Sequence, residues 1–257
     1  MRTLLLKYLG PKMLREAVAT RSCRRRASAL GLLVCAPLLG QAQQVLVKAN
    51  VAEDTVKNKF GPNRRYFGHA YVSYGLLAGA AGQGAELDHG LRSAELRVGG
   101  RLKFRFSQAL ALNLDLGYGY LRYQLSQNPT KLVPSPALHR RESLGLHQLY
   151  SEVSVRLNAG RRGNSVGRYL DLLAGGGWVA ATNHATEDEP GPGIGSVETT
   201  EHGLPYLRRW TSGVGARLGV DRYALTGRYR LSSVFGPGYE QWPDLPRWVV
   251  GLEIGLF

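Results

Sequence analysis

Residues 93–123 read SAELRVGGRLKFRFSQALALNLDLGYGYLRY. In the first half Leu96, Val98, Leu102, Phe104 and Phe106 share one parity, and Glu95, Arg97, Arg101, Lys103 and Arg105 hold the other. Ser107-Gln108 permits a tight reversal. In the second half Leu110, Leu112, Leu114, Leu116, Tyr118 and Tyr120 share a face, opposite Ala111, Asn113, Asp115, Gly117 and Gly119. Side chains alternate sides along a strand, so this period of two gives one apolar and one polar face. Strands of water-soluble proteins alternate for about 5–6 residues. These run about twice as long, near the 9–11 residues that a tilted strand needs to cross a bilayer.

The pattern recurs along the chain. Residues 65–77 form an aromatic-rich strand with Tyr66, Ala70, Val72, Tyr74 and Leu76 facing out. Residues 144–158 set Leu149, Val153, Val155 and Leu157 against Tyr150, Glu152, Ser154 and Arg156. Residues 167–182 set Leu170, Leu172, Ala174, Trp178 and Ala180 against Asp171. A further hairpin, 206–219 and 223–234, turns at Val220-Asp221-Arg222 and places Arg217, Arg228 and Arg230 inward. The last strand is 248–257, with Glu253 on the inward parity. The result is eight strands, with connections that alternate long and short. The segments 124–143 and 183–205 read as long polar loops, and Ala159–Val166 as a compact turn. Alternating long outer loops and short periplasmic turns is the organisation of an outer-membrane barrel. Closure also removes sheet edges that lipid could not satisfy.

The chain carries 33 Lys plus Arg against 19 Asp plus Glu, a formal charge of +14. Much of that excess lies near the N-terminus. A basic stretch through Arg26, the short apolar run Ala27–Leu39 and the small-residue site Gly40–Gln43 make a signal peptide. Its removal leaves a mildly basic chain whose charge alternates within strands, and this argues against a nucleic-acid-binding patch. Both cysteines, Cys23 and Cys35, fall within the signal, so no disulfide framework is expected in the mature chain. The domain plan is therefore residues 1–43 as signal, 44–64 as a periplasmic lead-in and 65–257 as the barrel.

With the signal, the eight strands and the terminal Phe257, the chain resembles the small eight-stranded outer-membrane barrels such as the OmpA-type transmembrane domain. The run Gly160–Asn164 followed by Tyr169-Leu170-Asp171, and the run Tyr229–Ser232, resemble the PorT-like outer-membrane β-barrel proteins. One feature departs from the group. Its final Phe is in phase with the outward apolar residues, whereas here Trp248, Val250, Leu252, Ile254 and Leu256 oppose Phe257. The resemblance implies an all-β, antiparallel up-and-down transmembrane barrel and no catalytic motif.

The inward parity gathers Arg97, Arg101, Lys103, Arg105, Arg156, Arg217, Arg228 and Arg230 against Glu95, Asp115, Glu152, Asp171 and Glu253. A narrow eight-stranded interior accommodates side chains or one small ligand. These groups are expected to pair into a closed, charged lumen. The competing reading is a narrow anion path, because the cations outnumber the anions. No catalytic, cofactor or metal residue is assigned. His147 and Ser151 share the outward face of one strand, as a lipid-modifying enzyme would require. They lie about 13 Å apart at strand rise, too far to hydrogen-bond. Glu187–Glu189 reads as a solvated loop tip. The expectation is a non-enzymatic, monomeric outer-membrane protein with a structural, adhesive or envelope-assembly role. Its partners would be outer-membrane lipid, lipopolysaccharide and the barrel-assembly machinery.

Overall fold

The computed structural model describes residues 59–257 except 89, 161–162, 190 and 192–194. The signal peptide, residues 44–58 of the lead-in and Arg161-Arg162 of the Gly160–Asn164 run lie outside the described residues. The elements are β1 (Tyr66–Ala78), β2 (Ala94–Arg105), β3 (Leu110–Gln124), β4 (Arg141–Ala159), β5 (Arg168–Asp188), β6 (Val197–His202), β7 (Trp210–Val220), β8 (Tyr223–Arg230) and β9 (Trp248–Leu256). All pairings between them are antiparallel. The ring runs β1-β2-β3-β4-β5-β7-β8-β9 and closes through β1–β9, from Ala70↔Leu256 to Ala78↔Trp248. Eight strands thus make the barrel.

The ninth strand corrects the sequence reading. Residues 183–205 are not one loop: β5 continues to Asp188, and β6 returns along it from Asp188↔Val197 to Asn183↔His202. β4 also starts earlier than expected, and Arg141↔Glu187 is its first pair with β5. A three-stranded sheet therefore projects from the long-loop end of the barrel. Every residue of β6 is exposed. With neither face buried, its sequence VETTEH shows no alternation of apolar and polar residues. The β7–β8 hairpin is shorter than expected, spanning Trp210–Val220 and Tyr223–Arg230.

The short turns share one end of the barrel with Phe257. At the first of them the Ser107 hydroxyl accepts hydrogen bonds from the Ala109 and Leu110 amides, at 3.2 and 3.0 Å. At another, Asp221 takes a left-handed φ of 51° and its carboxylate accepts the Gly167 amide at 2.8 Å. Asp tolerates that conformation better than most residues.

The exterior is apolar. Leu96, Val98, Leu102, Leu116, Leu149, Val153, Leu172, Leu218, Leu225 and Leu252 are all exposed on it. Aromatic residues collect at its two rims. Tyr74, Tyr118, Trp178, Trp210 and Trp248 ring the long-loop end, and Tyr66, Phe104 and Tyr223 the short-turn end. On β1, Tyr66 and Tyr74 are eight residues apart, roughly 20 Å along the barrel axis after strand tilt. That approaches the apolar band of about 25 Å on a membrane-spanning barrel.

Both mouths are covered. At the long-loop end, residues from the connecting loops (Leu87, Val133, Leu204, Leu207, Val234, Phe235, Leu245) pack onto strand-end residues Leu77, Leu121, Leu144, Leu146 and Val249. Trp242 meets Phe235 and Tyr239 edge to face, with ring centroids 5.2 and 4.9 Å away. At the short-turn end Phe257 lies beyond the last paired residue and turns inward, against Phe67 at 5.2 Å and His69 at 5.0 Å. Its opposite parity to the outward row follows from this: the ring belongs to the inner cap.

Inward glycines make room for inward tyrosines. Tyr169 of β5 sits directly opposite Gly219 of β7, where an added Cβ would lie 2.2 Å from the ring. Gly219→Ala should destabilise the barrel by about 1–3 kcal/mol, as overpacking does, read by urea titration in detergent. Adding Tyr169→Leu should recover part of that loss. If the double variant is no more stable than Gly219→Ala, the ring is not what the glycine accommodates.

Candidate functional site

The site is the charged middle of the lumen, and strand register builds most of it. Arg101 of β2 and Asp115 of β3 are direct cross-strand neighbours, as are Arg156 of β4 and Asp171 of β5, and Asp171 and Arg217 of β7. Arg101 grips Asp115 in a two-pronged contact at 2.8 and 2.9 Å, and Arg156 grips Asp171 at 2.7 and 2.8 Å. The planar guanidinium fork matches a carboxylate in this geometry. Arg101 also reaches Glu253 of β9 at 2.7 Å. Arg217 stands between three carboxylates: Asp171 at 2.9 Å, Asp115 at 3.0 Å and Glu253 at 3.1 Å. Its side chain and that of Asp171 are both fully buried. This layer holds three guanidinium groups and three carboxylates.

A second layer lies toward the long-loop end. Arg97 donates to Glu152 at 2.7 Å and Arg228 to Glu95 at 3.3 Å, with longer contacts of 3.8 Å from Arg97 to Glu95 and from Arg228 to Glu152. Here two cations meet two anions. Asp115 and Glu152 face each other in the β3–β4 register, a placement that would repel if bare. Arg101 and Arg217 occupy the first carboxylate and Arg97 the second.

The remaining three cations lie toward the ends. At the short-turn end Lys103 donates to the Pro62 carbonyl, and Arg105 to the carbonyl and side-chain oxygens of Asn63, at 2.5 and 2.9 Å. At the long-loop end Arg230 donates to the Leu245 carbonyl at 2.9 Å and lies 3.5 Å from Asp244. Burial acts to raise the pKa of Asp244. Arg230, the Val234 amide and Arg247 outweigh it and hold the carboxyl below its usual range. The inward cations exceed the inward anions in number, yet the five at mid-barrel are matched one for one.

Three tyrosines complete the site, and the sequence reading left them out of the charge network. Arg97 lies over the Tyr150 ring at 3.5 Å, Arg156 over Tyr169 at 3.7 Å and Arg101 over Tyr71 at 4.5 Å. Tyr71 and Tyr150 share a hydrogen bond of 2.9 Å. A ring face attracts a cation most strongly when both are out of water. Part of their signal was available: Tyr150 shares the parity of Glu152 and Arg156, Tyr169 that of Asp171, and Tyr71 lies on the parity opposite the outward residues of β1; each faces a glycine, Tyr71↔Gly99, Tyr150↔Gly117 and Tyr169↔Gly219.

The other candidates separate. His147 hydrogen-bonds Tyr118 through Nδ1 and packs 4.7 Å from the Tyr120 ring. Its cross-strand partners are Tyr120 and Ala181, and those of Ser151 are Leu116 and Gly176. Neither neighbouring strand therefore sets a serine opposite the imidazole. The acidic trio lies at the end of β5, with Asp188 and Glu189 about half exposed, and its members are paired. Glu187 pairs with Arg140 and Arg141, Asp188 with His139, and Glu189 with Arg140. This ties the β3–β4 loop to the projecting sheet. Beneath them buried Glu142 bonds His184 at 2.8 Å, Gln127 at 3.0 Å and Lys131. Among the described residues no group of three or more His, Cys, Asp or Glu is placed to hold a metal ion.

No family model and no curated protein matches the chain. Among solved structures it is similar to Ail, the attachment invasion locus protein of Yersinia pestis, crystallised with the heparin analogue sucrose octasulfate. That likeness is 10% identical, covers 74% of this chain and 99% of that one, and has a TM-score of 0.30. It is also similar to the N-terminal β-barrel domain of Pseudomonas aeruginosa OprF, at 13% identity, 73% and 95% coverage and a TM-score of 0.26. The barrel is defined by this chain's own strand order and register.

Proposed function

We propose that the chain is an integral outer-membrane β-barrel with a closed lumen and a structural, adhesive or envelope-assembly role. One observation carries the reading: the barrel is inverted relative to a soluble one. Its exterior exposes leucines between two aromatic rims, and its interior holds buried arginines and carboxylates. Water would penalise that exterior at about 25 cal/mol per Å² of apolar surface, whereas lipid covers it. A soluble eight-stranded ligand barrel would reverse the two faces.

The short-turn end faces the periplasm in this reading. The projecting β4–β5–β6 sheet and the capped loops face outward, and they are the surface on which an adhesive or assembly role would act. Lipopolysaccharide surrounds the outer rim, and a barrel-assembly machine delivers the chain. A PorT-like relationship remains part of this proposal. A lipid-modifying role has less support, because His147 has tyrosine rather than serine as its partner.

Fractionation tests the location. The protein should remain in carbonate-washed outer membranes and migrate differently in SDS before and after boiling. Cysteines at exposed Thr130 and Glu198 should react on intact cells with an impermeant maleimide, and one at Asn164 should not. Recovery as a soluble periplasmic protein would overturn the reading, and the reverse labelling would invert its topology.

A further inference from the structure

We infer that the barrel holds a binding site for a small, uncharged amphipathic molecule, in a cavity of about 90 Å³ between the second charged layer and the long-loop cap. The cavity exists because the inner faces of β5 and β7 are bare at this level. Gly175, Gly177 and Gly213 line it and offer no side chains. Its floor is polar, formed by Arg97, Glu152 and Arg228, and the rest of its lining combines the apolar Leu121, Leu146 and Val249 with Arg230 and Arg247.

The floor is incompletely satisfied. Nε of Arg97, Nε and Nη2 of Arg228 and Oε2 of Glu152 are buried with no hydrogen-bond partner. The side chains concerned are 4%, 10% and 8% exposed for Arg97, Arg228 and Glu152. A buried polar atom left unpaired is costly, so a native site of this kind holds something that bonds to it. Water alone answers half of the requirement. The space accommodates roughly three waters, but any against Leu121, Leu146 and Val249 would lack partners. An amphipathic occupant matches both walls.

The floor also selects charge. At the floor two guanidinium groups already balance Glu95 and Glu152, and the two further arginines of the lining, Arg230 and Arg247, engage Asp244 at 3.5 and 2.8 Å, so an anion seated on the floor would meet two carboxylates. Three unpaired donors and one unpaired acceptor suit a hydroxyl or carbonyl oxygen. On β7 the cavity lies level with Ser212 and Val214, whose side chains are on the outer face next to the Trp210 rim. A ligand of this chemistry partitions to the same depth of a bilayer.

The test uses 1-propanol as probe on the full barrel in detergent micelles, read by ¹⁵N NMR. Saturable shifts are expected at the Arg228 and Arg97 Nε–H signals and at the amides of Gly175, Gly177 and Gly213. The amides of Gly160 and Gly163 at the opposite end should stay unmoved. Leu146→Phe, which fills the cavity, and Arg228→Met, which removes the donors, should each weaken binding at least tenfold. Leu173→Phe serves as the filling variant if Leu146→Phe does not fold. Micelle partitioning is common to all variants, so their comparison isolates the site. Absence of saturable shifts in the unaltered protein, or equal binding by the filled variant, would overturn the proposal. Tighter binding of propionate than of propanol would overturn its charge class.

Discussion

Arg217→Ala is expected to destabilise the barrel by roughly 3–5 kcal/mol, the usual cost of removing one member of a buried ion pair. At about 1.4 kcal/mol per tenfold, that is on the order of a thousandfold in the folding equilibrium. The reason is local arithmetic. Arg217 contacts Asp115, Asp171 and Glu253 within 2.9–3.1 Å. Without it, three buried carboxylates share two guanidinium groups. Glu253 is left with Arg101, which is already committed to Asp115 by a two-pronged contact. Adding Glu253→Gln removes the surplus negative charge and leaves the Arg101–Asp115 and Arg156–Asp171 pairs intact. The double variant should therefore be more stable than Arg217→Ala alone, although Glu253→Gln by itself should destabilise. Urea titration of the detergent-solubilised barrel measures all four chains. Additive losses would mean that the layer is not a coupled network.

Sidedness was legible in the sequence because it is a local property. Whether Arg101 or Leu102 points inward depends on the parity of neighbouring residues, and every inward residue named for β2, β3 and β4 lies inside. Pairing was less legible, because it depends on how far the strands are staggered around the ring. Arg101 to Asp115 is a hairpin neighbour and follows from the turn at Ser107. Arg217 to Asp115 spans from β7 to β3, residues 102 apart in sequence. No sequence period encodes that contact. The tyrosines fell between the two cases. Parity placed Tyr150 inward, but its contact with Arg97 needs Gly99 and Gly117, where an added Cβ would lie 2.7 and 2.5 Å from the Tyr150 hydroxyl. Strand β6 was invisible for the opposite reason. Its six residues bury nothing, so burial imposed no pattern. The cap at the long-loop end was hidden because its residues fell into several loops of different composition, and Leu207 and Val234 into segments that read as strand. Its apolar members, among them Leu87, Val133, Leu207 and Leu245, are scattered singly between Gly, Pro and charged residues.

The barrel is expected to be electrically silent in planar bilayers. An ion crossing it would meet three obstacles in series. Phe67, His69 and Phe257 pack across the short-turn end. Five guanidinium groups paired with five carboxylates fill the middle. The loop cap around Phe235, Leu245 and Trp242 covers the long-loop end. An anion path needs uncommitted cations facing open space, and at mid-barrel the guanidinium groups are matched by carboxylates. Lys103, Arg105 and Arg230 donate to backbone carbonyls near the two mouths. Removing one obstacle should leave the other two. Arg228→Ala, which empties part of the second charged layer, should therefore stay as silent as the unaltered protein. Insertion is checked separately by the heat-dependent shift in SDS migration, so silence cannot be mistaken for failure to insert. A steady anion-selective conductance from the unaltered barrel, changed in selectivity by Arg228→Ala, would show that the inward arginines line a path rather than fill a core.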